Sequence, residues 1–133
     1  MQRKFQDNKG EISLFLNLTF STVKALINAD DKSVIVMWLK DKDDIRWFRL
    51  FCDGVYCGVD QYSSDRSFDD MDDDIIIVDH SAWFQHKKII TAFVTSDNND
   101  SPCIKVFLKF DQSQCQLIYQ CQLDQCDLVF IDQ

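Results

Sequence analysis

Apolar and polar residues alternate along this chain in short runs, and aspartate closes nearly every run. The pattern is cleanest near the C-terminus, where Ile104, Val106, Leu108 and Phe110 fall on one side and Lys105, Phe107 and Lys109 on the other. That period of two is the mark of a half-buried strand. Strands are predicted at 34–40, 45–52, 55–60, 74–79, 88–96, 103–110, 115–122 and 126–132. Between 11 and 29 the rhythm changes: Ile12, Phe15, Leu16, Phe20, Val23, Leu26 and Ile27 recur at three and four, the spacing of an amphipathic helix. The spacing predicts a helix over 19–29 with Thr19 as its cap, although 12–18 also alternate well enough for a strand. A short helical turn is expected around His80 to His86. The predicted fold class is α+β, mainly β: an antiparallel β-meander of about seven to eight strands with one N-terminal helix packed on the sheet.

Aspartate punctuates because little else is available to do so. The chain has three Gly and one Pro, and of its 22 acids only Glu11 is glutamate. Aspartate's short side chain competes for backbone hydrogen bonds, which disfavours helix interiors and favours turns. Asp53-Gly54 is the strongest hairpin signal, since a type I′ turn wants positive φ at both central positions. Such a turn sets Cys52 opposite Val55 and Leu50 opposite Cys57, with both cysteines sharing an apolar face with Phe48 and Val59. Trp47, Arg49, Phe51 and Tyr56 then share the opposite face, to cover the helix or to meet a partner.

At 133 residues the chain has the length of one domain, spanning 1–133, which buries about two-thirds of its unfolded surface. Eleven Phe supply a core without metal or disulfide staples. The formal net charge of −8 argues against a nucleic-acid or anionic-membrane binder, both of which need Lys and Arg, and favours a basic partner. The acidity is local, because the fifteen residues from Asp60 to Asp74 carry −6 of that total. The N-terminal run resembles a signal peptide only superficially: Asn17 and Thr19 interrupt it, and no small-residue cleavage site follows. With no apolar stretch of membrane-spanning length and six cysteines that read as reduced thiols, the expected location is cytoplasmic.

Candidate chemistry is sparse. Cys52 and Cys57 form a C-x4-C, as do Cys121 and Cys126, but zinc knuckles are tighter and contain Gly. Buried thiols acting as small hydrophobes account for these four and for Cys103 and Cys115. His80 follows Asp79 and reads as a local hydrogen-bonding group, and no phosphate loop, G-x-S-x-G or metalloprotease helix accompanies it or His86. Asp70, Asp72 and Asp74 have the alternate spacing of a calcium loop, yet Ile75 stands where its Gly belongs and Ser81 where its Glu belongs. No enzyme activity, metal or cofactor is expected.

Residues 63–77, SSDRSFDDMDDDIII, remain. Six aspartates in ten positions raise the free energy of the compact state, a cost that mere solubility does not require. Phe68 and Met71 lie among them, and apolar anchors within a charged surface suit a binding site. The candidate partner-binding residues are Asp65, Phe68, Asp69, Asp70, Met71, Asp72, Asp73 and Asp74. In size, acidity, the Asp65 to Asp74 cluster and the absence of catalytic motifs, the chain resembles the immunity proteins encoded beside bacterial polymorphic toxins, including those of contact-dependent growth inhibition. The resemblance implies binding and blocking of one cognate partner, the basic C-terminal toxin domain of an effector, most often a nuclease. It implies no direct contact with nucleic acid or membrane. Two alternatives are a phage-encoded nucleic-acid mimic, which predicts charge spread along a long face, and an assembly protein using Trp38, Trp47 and Phe51.

Overall fold

The computed structural model describes residues 1–68, 72–97 and 103–132. Within them lie strands β1 (Gln2–Asp7), β2 (Gly10–Glu11), β3 (Phe20–Asn28), β4 (Val34–Asp41), β5 (Trp47–Cys52), β6 (Cys57–Tyr62), β7 (Ile75–Asp79), β8 (Thr91–Asp97), β9 (Cys103–Lys109), β10 (Ser113–Gln120) and β11 (Gln125–Asp132). A 3-10 turn covers Ser13–Phe15, and one helical turn, α1, covers Ser81–Phe84. The strands form two antiparallel sheets, a six-stranded one in the order β1-β6-β5-β4-β3-β7 and a five-stranded one in the order β11-β10-β9-β8-β2. Each is built around a meander, β3 to β6 in the first and β8 to β11 in the second.

All eight segments predicted as strands are strands, and the short turn after His80 is α1. On β9, Ile104, Val106 and Leu108 are buried, as is Phe110 just beyond it, while Lys105 and Lys109 are exposed. The helix predicted over 19–29 does not exist: the segment is β3, paired with β4 on one side and β7 on the other. A bulge between Phe20 and Thr22 adds a residue, so Phe20 and Val23 both reach the core from positions three apart. Leu26 is buried on the opposite face of the pleat. A bulge combined with burial on both faces imitates a helical period. The core is covered by the second sheet in place of a helix. Strand β1 escaped the sequence reading because only Phe5 among its side chains is even half-buried.

The Asp53-Gly54 hairpin forms with a different turn. Cys52 pairs with Cys57 and Leu50 with Val59, leaving a four-residue connection in which neither Asp53 nor Gly54 has positive φ. The Asp53 carboxylate accepts the N–H groups of Val55 (3.0 Å) and Tyr56 (3.2 Å), an arrangement that replaces the expected type I′ geometry. Because the register moves by two, the facing is preserved, and Phe48, Leu50, Cys57 and Val59 are all fully buried.

Both sheets contribute to one core. Phe15, Phe20 and Phe48 meet edge to face at centroid distances of 5.2 to 6.2 Å. Near the other side α1 inserts Trp83 and Phe84 against Phe110 and Phe130. Among the described residues no helix is long and apolar enough to cross a membrane.

Candidate functional site

The acidic segment begins as a strap and ends as an exposed turn. After β6 the chain crosses back over the outer face of the six-stranded sheet. Asp65 accepts the indole N–H of Trp47 and an ammonium proton of Lys40, each at 3.3 Å. These two donors, the indole first, hold its carboxyl below the usual range. The Arg66 guanidinium lies 3.7 Å over the Tyr62 ring and 5.0 Å from that of Trp38. Phe68 sits edge-on to Trp47 and Trp38 at 5.7 and 6.2 Å, with the Lys24 ammonium 4.9 Å over its ring. The structure therefore places Asp65 and Phe68 against their own sheet, and Trp47 is buried beneath them. Asp69, Asp70 and Met71 lie outside the described residues.

Asp72, Asp73 and Asp74 are exposed, and the fold brings further carboxylates beside them. The N–H of Ala29 donates to the carbonyl of Asp74 at 2.8 Å, which sets the β3–β4 turn and its exposed Asp30 and Asp31 next to this run. The Asn28 side chain shapes that turn by accepting the N–H of Asp30 at 2.8 Å. Ser33 donates to Asp31 and holds its carboxyl low, and Gln125 of β11 reaches the same residue at 3.2 Å. Carboxylates from two separate stretches thus share one end of the molecule, with a third stretch tied to it through Gln125.

Beside this end the sheets part to leave a cleft of about 270 Å³. Ala25, Ile27, Val34 and Val78 line it from the first sheet, Leu128 and Phe130 from the second, with Lys32, His80 and Asp127 at its polar positions. His80 packs at 5.0 Å against Phe130 with the rings tilted, and its desolvation there pushes the imidazole below its ordinary value, against the opposing pull of Asp79.

Asp60, which the sequence groups with the acidic segment, behaves differently. It is fully buried on the outer face of β6, where it accepts two bonds from Arg49, at 2.7 and 3.0 Å, and one from Arg3. Both guanidiniums also lie over the Phe51 ring, at 4.9 and 5.1 Å. All six cysteines are free, and burial pushes Cys115 up to about 12. Among the described residues no group of three or more His, Cys, Asp or Glu is arranged to hold a metal ion.

Sequence reasoning singled out Asp72 to Asp74 and passed over Asp30, Asp31, the cleft and the arginine pair on Asp60. The only available signal for the first two was their place in a turn between apolar runs. No family model, curated protein or solved structure matches the chain.

Proposed function

We propose that this protein is an inhibitory binding protein of the immunity type, which neutralises a cationic toxin domain, typified by a nuclease, by seating it on the acidic end. The observation that carries this reading is the convergence of Asp72, Asp73 and Asp74 with Asp30 and Asp31, all exposed, beside an apolar cleft. A nuclease grips phosphate with Lys and Arg, and a fixed group of carboxylates occupies the same cations while the neighbouring apolar surface holds the complex. Charge gathered at one end fits this better than nucleic-acid mimicry, which calls for carboxylates along a face. The assembly reading is weakened because the strap already covers Trp47.

The test is association with the toxin domain encoded beside this chain, measured by stopped flow. Changing Asp30, Asp31, Asp72, Asp73 and Asp74 together to Asn should slow association about tenfold or more at low salt, with a smaller change in dissociation. Unchanged association and inhibition would remove this end of the molecule from the interface.

A further inference from the structure

Among the described residues the two sheets leave four edges, formed by β1, β7, β2 and β11. A free edge invites another strand, and proteins blunt such edges with charge, bulges or brevity. Strand β1 carries Arg3 and Lys4 and is bulged between Arg3 and Phe5, β11 carries Asp127 and Asp132, and β2 has two residues. Strand β7 carries charge only at its last residue, Asp79: Ile75, Ile76, Ile77 and Val78 before it run without charge, proline or bulge.

Its backbone faces outward in a defined way. The N–H of His80 bonds the carbonyl of Val23, and the carbonyl of Asp74 accepts from Ala29, so the alternate residues Ile76 and Val78 turn towards β3. Ile77 and Asp79 therefore turn their N–H and C=O groups outward, and among the described residues no strand pairs with them. Val78 lines the inter-sheet cleft, which can receive every second side chain of an added strand. Aspartates stand at both ends, Asp72 to Asp74 before β7 and Asp79 at its close. A second copy of β7 would bring acid against acid in either orientation, whereas a basic strand meets complementary charge at both ends.

We infer that the outer edge of β7 is a strand-pairing site for an extended cationic segment of a protein partner, an inference that rests on the binding function proposed above. Main-chain bonds to Ile77 and Asp79 supply the grip, the cleft selects apolar alternate side chains, and the flanking acids select Lys or Arg. The crowded aspartates then have a second purpose, guarding an unprotected edge against self-pairing.

The experiment uses a short synthetic peptide with an alternating valine and threonine centre between paired lysines. Binding to the whole protein is followed by amide chemical shifts at low salt. Two further peptides serve as controls: one methylated on the backbone nitrogens of alternate central residues, prepared in both registers, and one with glutamates in place of lysines. The expected result is binding of the lysine peptide with shifts centred on residues 75–79, weakened about tenfold or more by methylation in one register. Ile77→Pro, which removes an outward N–H and no bond to β3, should weaken it similarly while the melting transition is retained. Equal binding of the methylated peptides in both registers, or shifts confined to residues 30–31 and 72–74, overturns strand pairing and leaves the acidic-end reading standing. Equal binding of the glutamate peptide overturns the cationic-partner reading itself, and no binding by any peptide overturns both.

Discussion

Asp60 shows how position decides what an acid does. Its carboxylate is fully buried yet satisfied by Arg49 and Arg3, so it does not belong to the exposed acidic surface. Removing one partner of such a pair leaves the others uncompensated, the costly case for buried ions. Asp60→Ala should therefore destabilise the protein by about 3 kcal/mol, read from urea unfolding. A loss under about 0.5 kcal/mol, the range of an ordinary surface change, would show that the two arginines find water as readily as the carboxylate. His80 gives a pH signature of the same sign as the exposed acids, but at higher pH. Its folded value lies below 6.5 because burial against Phe130 disfavours the charged ring, with Asp79 adjacent and Lys32 and Asp127 also lining the cleft. The unfolded chain then binds more protons than the folded one as pH drops below that value, and stability declines until the folded value is passed. Above it the contribution is complete. Asp31 and Asp79, whose carboxyls are held low chiefly by bonds from Ser33 and Ser81, lose their contributions only in the acid range below 3.8. His80→Gln should flatten the decline that sets in as pH drops below 6.5 while leaving the acid limb in place. An unaltered slope in unfolding measurements would assign that decline to other groups.

At the scale of elements, Phe68 separates two roles that the sequence could not distinguish. An aromatic among aspartates reads as a partner anchor when only neighbours along the chain are known; in the fold it pins the strap to Trp38 and Trp47. Phe68→Ala should cost about 2 kcal/mol, less than the usual loss for a fully buried Phe, and should shift tryptophan emission to the red as Trp47 gains water. Unchanged emission with weakened partner binding would restore the anchor role. The same limit explains which elements were legible. Strands such as β9 bury one face and expose the other, so their composition records their geometry. Strand β3 is bulged and buried on both faces, and its composition records a false period. Strand β1 buries almost nothing and left no apolar trace. Asp72 to Asp74 were legible as a charged run, whereas their junction with Asp30 and Asp31 depends on a bond between Ala29 and Asp74, forty-five positions apart by residue number.

Across the whole molecule, charge is sorted by burial. The chain has four arginines, and three of them, Arg3, Arg46 and Arg49, bond Asp41 and Asp60, the two buried aspartates among the described residues. The fourth, Arg66, lies over aromatic rings of the outer face. The best bidentate cations are thus committed away from the acidic end, whose carboxylates are left to repel one another across water. Repulsion of this kind is screened by salt within about 10 Å at 0.1 M, while buried pairs are screened far less. Added sodium chloride should consequently raise the urea midpoint of the native protein between about 0.02 and 0.2 M. The variant with Asn at positions 30, 31, 72, 73 and 74 should start from a higher midpoint and gain less. If salt instead lowered the native midpoint, attraction in pairs such as Lys40 with Asp65 would outweigh the repulsion, and the acidic end would carry no electrostatic strain for a cationic partner to relieve.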